Sequence, residues 1–96
     1  MKLGGITPLG GALGDAFRQY GIERQIRERE IFSRWSEIVG TTLARHSEPV
    51  RLQHGVLMIH VQNAVWRQEL SLMRAELSSR INDAIGMELV KEIILR

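Results

Sequence analysis

The run from Pro49 to Gln62, PVRLQHGVLMIHVQ, constrains this sequence more than any other, because it alternates apolar and polar residues on both sides of a short break. Successive side chains of an extended chain point to opposite faces, so such a run is suited to two half-buried strands. Val50 and Leu52 are expected on one face of the first strand, with Arg51 and Gln53 on the other. In the second, Leu57, Ile59 and Val61 should turn inward, leaving Met58, His60 and Gln62 outside. His54-Gly55 between them fits a short hairpin turn in which Gly55 is free to take positive φ.

A lone hairpin is marginal in water; it needs a third strand and a covering layer. The stretch NAVWRQELSLMRAELSSRINDAIG supplies the cover. Trp66, Leu70, Met73, Leu77, Ile81 and Ile85 form one helical stripe, with Asn63 as the cap and Gly86 as the stop. The final MELVKEIILR reads as a third strand, with two possible inward faces: Leu89, Ile93 and Leu95, or Val90 and Ile94. Upstream, Thr7 fits a cap and Pro8 a first helical position; Leu9, Leu13, Phe17 and Tyr20 follow at helical spacing, and Gly21 is the expected stop. Gly10, Gly11 and Gly14 weaken that helix by roughly 1 kcal/mol each. A second helix carries Ile31, Trp35, Ile38, Val39 and Leu43 on one face, after a solvated, charge-dense ERQIRERE. Gly40, inside that pattern, is expected to mark a close approach by another backbone.

The order is α-α-β-β-α-β, an α+β fold with helices packed on one face of a three-stranded sheet. At 96 residues the chain fits one domain, 1–96, with 1–8 expected to be flexible. It has no cysteine, which excludes disulfides and thiolate-bound metal. No apolar run approaches the roughly 20 residues of a membrane span, and the start MKLGGITPLGGALGD has no continuous apolar stretch for a signal peptide. A cytoplasmic protein that makes no use of a membrane is expected.

Signs of catalysis are absent. His46, His54 and His60 lack metal-ligand spacing, and no carboxylate completes a set. GALG, Gly11 to Gly14, matches the GxxG of K-homology domains, but there the loop joins two helices, whereas this one lies at the first helix; a chance match is the better reading. There is no Walker loop, dinucleotide fingerprint or nucleophile elbow. Trp35 and Trp66 could stack on unpaired bases, but both fall on apolar stripes and read as core. No enzyme and no cofactor is expected.

A binding module remains. Eleven of the thirteen basic residues are arginine, whose planar fork suits phosphate and carboxylate. Arg51 on the outward hairpin face, and Arg67 and Arg74 on one side of the third helix, are the candidate nucleic-acid-binding residues. The competing reading pairs the arginines with Glu23, Glu28, Glu30, Glu37, Glu69 and Glu76 and cancels their field.

Five segments, WSEIVG (Trp35 to Gly40), LARHSEP (Leu43 to Pro49), GVLMIHV (Gly55 to Val61), WRQEL (Trp66 to Leu70) and INDAIG (Ile81 to Gly86), resemble in order and spacing the DciA family of bacterial proteins. The resemblance runs from about Leu9 to the end. It implies a K-homology-like domain and a non-enzymatic role in chromosome replication, in which the family assists loading or operation of the replicative helicase DnaB and binds DNA. Family domains are often joined to a flexible basic extension. This sequence ends at Arg96, so its own affinity for single-stranded or forked DNA is expected to be weak. Two alternatives stand beside this: a general RNA- or DNA-binding module without a helicase partner, and a homo-oligomeric scaffold joined through the outward hairpin face.

Overall fold

The computed structural model describes residues 6–96, with side chains from Gly14 onward. Its elements are α1 (Ile6–Ser33), α2 (Trp35–Val39), α3 (Thr41–His46), β1 (Ser47–Gln53), β2 (Val56–Val61), α4 (Ala64–Ser71), α5 (Arg74–Ile85) and β3 (Glu92–Leu95). The sheet order is β1-β2-β3, with β1 antiparallel and β3 parallel to the central β2. The α+β reading, with three strands and helices over one face, therefore stands. Expectations for the Thr7 cap and for the first five residues fall outside the described side chains and residues.

The hairpin closes through His54 and Gly55, with φ of 54° and 81°. Positive φ at both central residues matches the tight turn whose twist suits paired strands. Leu57, Ile59 and Val61 are fully buried, as alternation requires. The first strand departs from it. Register runs Ser47↔Val61, Glu48↔His60, Pro49↔Ile59, then resumes at Arg51↔Met58 and Leu52↔Leu57, so Val50 is an extra residue opposite nothing. This β-bulge moves the inward face from Ser47 and Pro49 to Leu52. Val50 is 50% exposed and does not share the inward face expected for it.

The helices are more divided than the sequence patterns suggest. Gly21 does not end the first helix; α1 continues to Ser33. Arg24–Glu28 and Arg27–Glu30 ion pairs span the following turns, and i,i+3 and i,i+4 pairs of this kind support helix. The second pattern is broken instead at Arg34 and at Gly40, whose φ of 93° suits glycine. Nothing lies within 4 Å of a Cβ built on Gly40, so its role is conformational and not a close approach. The third pattern is split at Leu72–Met73, where the Ser71 hydroxyl donates to the Gln68 carbonyl and competes with the helical ladder. Asn63 caps α4 by accepting from the Trp66 N–H at 2.8 Å, and Gly86 ends α5 in the left-handed conformation.

The core joins both halves of the chain: Ile31, Trp35, Ile38 and Val39 meet Leu70, Leu77, Ile81 and Ile85 over the inner sheet face. Beyond this body α1 projects outward, and the molecule measures 63 × 20 × 19 Å. Leu89 and Val90 are both buried although neither is in a strand. Buried Asn82 holds them: its Oδ1 accepts from both N–H groups at 3.0 and 2.8 Å, and its Nδ2 donates to the Val90 carbonyl at 2.9 Å. In β3 itself, Ile93 and Leu95 sit beside inward Leu57 and Ile59, while Ile94 sits beside outward Met58.

Candidate functional site

The arginines separate into two groups. Arg18, Arg24, Arg27, Arg34 and Arg80 are ion-paired, with Asp15, Glu28, Glu30, Glu30 and Glu37, and Glu76 respectively. For these the neutralised reading holds, although Glu23 and Glu69 take no part among the described residues. Arg34 sits at the α1–α2 break and holds Glu30 at 3.0 Å and Glu37 at 2.8 Å. Its hydrogen bonds to Glu37, and then its charge, hold that carboxyl below its ordinary range. By contrast, Arg29, Arg45, Arg51, Arg67, Arg74, Arg96 and Lys91 form no ion pair among the described residues.

Three of these unpaired cations gather at one side of the molecule. Arg67 and Arg74, seven residues apart across the α4–α5 turn, line one hollow with Ala64, Gln68, Ser71 and Leu95. Arg74 also borders the adjoining groove, about 460 Å³, with Ala75 and Ser78 of α5 on one wall and Lys91 to Leu95 on the other. Arg51 is not part of this group. It is exposed on the open sheet face, paired with Met58 in register. Nor is Arg67 wholly available: one Nη donates to the Val61 carbonyl at 3.1 Å, and its Nε is buried without a partner. Sequence alone gave no hint of Lys91, which the loop pinned by Asn82 and Ser78 brings opposite α5.

The tryptophans serve the framework. Trp35 is 7% exposed, and its indole N–H donates to Ser47 Oγ at 3.3 Å. Trp66 packs half-buried against the core, and the His46 ring stacks on it with centroids 4.5 Å apart and planes 13° from parallel. A base could stack on that face of Trp66 only by displacing His46. Among the described residues no three of His, Cys, Asp and Glu cluster as metal ligands, and no helix is long and apolar enough to cross a membrane.

The groove and its cations lie in a chain with clear relatives. UPF0232 proteins of Mycobacterium leprae (strain TN), Mycobacterium tuberculosis (strain ATCC 25618 / H37Rv) and Rhodococcus jostii (strain RHA1) are 33%, 30% and 31% identical to it, over 90%, 90% and 86% of its length. The chain spans less than half of those relatives, 46%, 46% and 45% of their lengths. The family model described as "Dna[CI] antecedent, DciA" matches residues 8–95. The resemblance carried by WSEIVG, WRQEL and the other segments is thereby borne out: the chain belongs to the DciA family.

Proposed function

We propose that this chain is a non-enzymatic, cytoplasmic accessory of DNA replication that binds the replicative helicase DnaB and promotes its loading or activity on DNA. The family match over residues 8–95 carries this reading. A small rigid domain can act on a helicase ring by binding one of its conformations better than another, which needs no chemistry of its own. DNA contact falls to cations without an ion pair among the described residues, with exposed Arg74 at the groove, half-buried Arg67 in the adjoining hollow and Arg51 on the sheet face.

Under this reading the domain is K-homology-like, with weak affinity for single-stranded or forked DNA. In K-homology domains a GxxG loop joins two helices and clamps the nucleic-acid backbone. The turn joining α4 and α5 here is Leu72–Met73, without glycine, and GALG lies within α1. Phosphate contact then rests on side-chain charge, which gives modest, salt-sensitive binding. The deciding experiment is a pull-down of the cognate DnaB by the full chain, followed by assays of ATP hydrolysis and of helicase loading on forked DNA. Binding and a change in loading are expected; no interaction at micromolar concentration overturns the reading. The unpaired cations also fit a general nucleic-acid module. Tight, salt-sensitive binding to RNA oligonucleotides without helicase association would establish that alternative.

A further inference from the structure

We infer that the groove between α5 and the free edge of β3 holds an extended, acidic peptide segment of a protein partner, added to the sheet as a further strand. This rests on the reading of the chain as a protein-binding accessory and names the chemistry of the segment bound.

β3 is paired on one side only. Its bonds to β2 use alternate residues: the Glu92 N–H donates to Gly55 O at 3.1 Å, the Arg96 N–H donates to Ile59 O at 2.9 Å, and Arg96 O accepts from the Val61 N–H at 3.0 Å. In a parallel ladder the intervening residues turn their N–H and C=O the opposite way. Ile93 and Leu95 therefore offer two donors and two acceptors along the open edge. The groove's lining agrees. Lys91, Glu92, Ile93, Ile94 and Leu95 all border it, although Ile93 and Leu95 belong to the inner face and Ile94 to the outer. Consecutive residues of opposite facing share one groove when it follows the backbone edge.

The facing wall leaves room, since Ala75 and Ser78 are short, and Ser78 is tied back by donating to the Val90 carbonyl at 3.0 Å. Charge selects the occupant. Arg74 and Lys91 flank the groove and Arg67 adjoins it, against the single carboxylate of Glu92. The two sheet edges also differ. β1 is blunted by Pro49 and the Val50 bulge, devices that discourage strand addition, whereas β3 has neither. A nucleic acid could offer phosphates to Arg74 and Lys91. It has no row of amides spaced to meet the Ile93 and Leu95 groups, so a strand of protein is favoured.

The test mixes the full chain with its cognate replicative helicase and follows backbone hydrogen exchange over residues 91–96. A thymidine oligonucleotide serves as the parallel probe. Expected is slowed exchange at the two edge amides with helicase and not with oligonucleotide. Leu95→Pro removes an edge N–H at a position where an edge strand accepts proline, and keeps the sheet bonds of Arg96. It should weaken helicase binding about tenfold, the scale of one good hydrogen bond, and leave oligonucleotide binding unchanged. Arg74→Glu should weaken both. Helicase binding with edge amides that still exchange freely overturns this inference and leaves the proposed function intact; absence of helicase binding overturns both. Slowing by the oligonucleotide alone places nucleic acid in the groove and also refutes the peptide. The exchange measurement uses the unaltered chain, so it decides the matter even where Leu95→Pro fails to fold.

Discussion

Asn82 is a polar residue on the buried face of α5, and its three hydrogen bonds fix a loop that would otherwise carry buried, unpaired backbone. Replacing it with leucine fills a similar volume but strands the Val90 N–H, while the Leu89 N–H keeps its bond to the Met87 carbonyl at 2.9 Å. One orphaned buried donor costs about 1–3 kcal/mol, so Asn82→Leu should destabilise by about 2 kcal/mol in a denaturant titration. The tryptophans differ in the same terms. Trp35→Ala should cost about 3–5 kcal/mol because it empties a core site and leaves Ser47 Oγ without its indole donor. Trp66→Ala, at a half-buried site under the His46 ring, should cost clearly less in the same titration.

At the scale of elements, the Val50 bulge gives a sharper prediction. Removing Val50 would let register run unbroken from Ser47 through Gln53, and strict alternation would place Leu52 inward without the extra residue. A chain lacking Val50 should fold with stability within about 1 kcal/mol of the parent, the scale of an exposed strand substitution, in thermal melts followed by circular dichroism. The α1–α2 break is tied by Arg34, and its bond to Glu37 carries a pH signature. A carboxyl held below its ordinary range stabilises the fold fully above that range, and the contribution is lost as pH falls through the lowered value. Glu37→Gln should therefore lower stability slightly at neutral pH, converge with the parent as the pH falls, and so flatten the acid limb of the stability profile.

The same elements explain how much the sequence revealed. Alternation in VLMIHV, the Asn63 cap, the Gly86 stop and the Trp66-to-Ile85 stripe were all legible because they are local chemistry. The bulge was not, since an extra residue is defined only by its partner strand. Nor was the break at Leu72–Met73, because the Trp66-to-Ile85 stripe runs across it at unbroken helical spacing. Gly21 misled because glycine permits a stop without imposing one. Of the candidate site, Arg67 and Arg74 were legible from their spacing, while Lys91 joins them through a crossover that sequence does not display.

For the molecule as a whole, shape and charge both lend themselves to measurement. The radius of gyration is 17.9 Å, against about 13 Å for a compact chain of this length, because α1 extends beyond the body with Phe17 75% exposed. Small-angle scattering from a monodisperse monomer should return a value near the larger one; a value near the smaller would mean that α1 folds back. Charge predicts a contrast between variants. Arg74→Gln should lower the salt dependence of DNA binding by about one phosphate contact, whereas Arg24→Gln, already neutralised by Glu28, should leave it unchanged. Gly55 bears on assembly. Its positive φ closes the hairpin, and its carbonyl receives the N–H groups of Lys91 and Glu92 at 2.8 and 3.1 Å. The local turn and the distant strand thus meet at a single peptide unit, so neither is complete without the other. Unfolding should accordingly proceed in one cooperative step, with no populated species that keeps the hairpin and has lost the last strand.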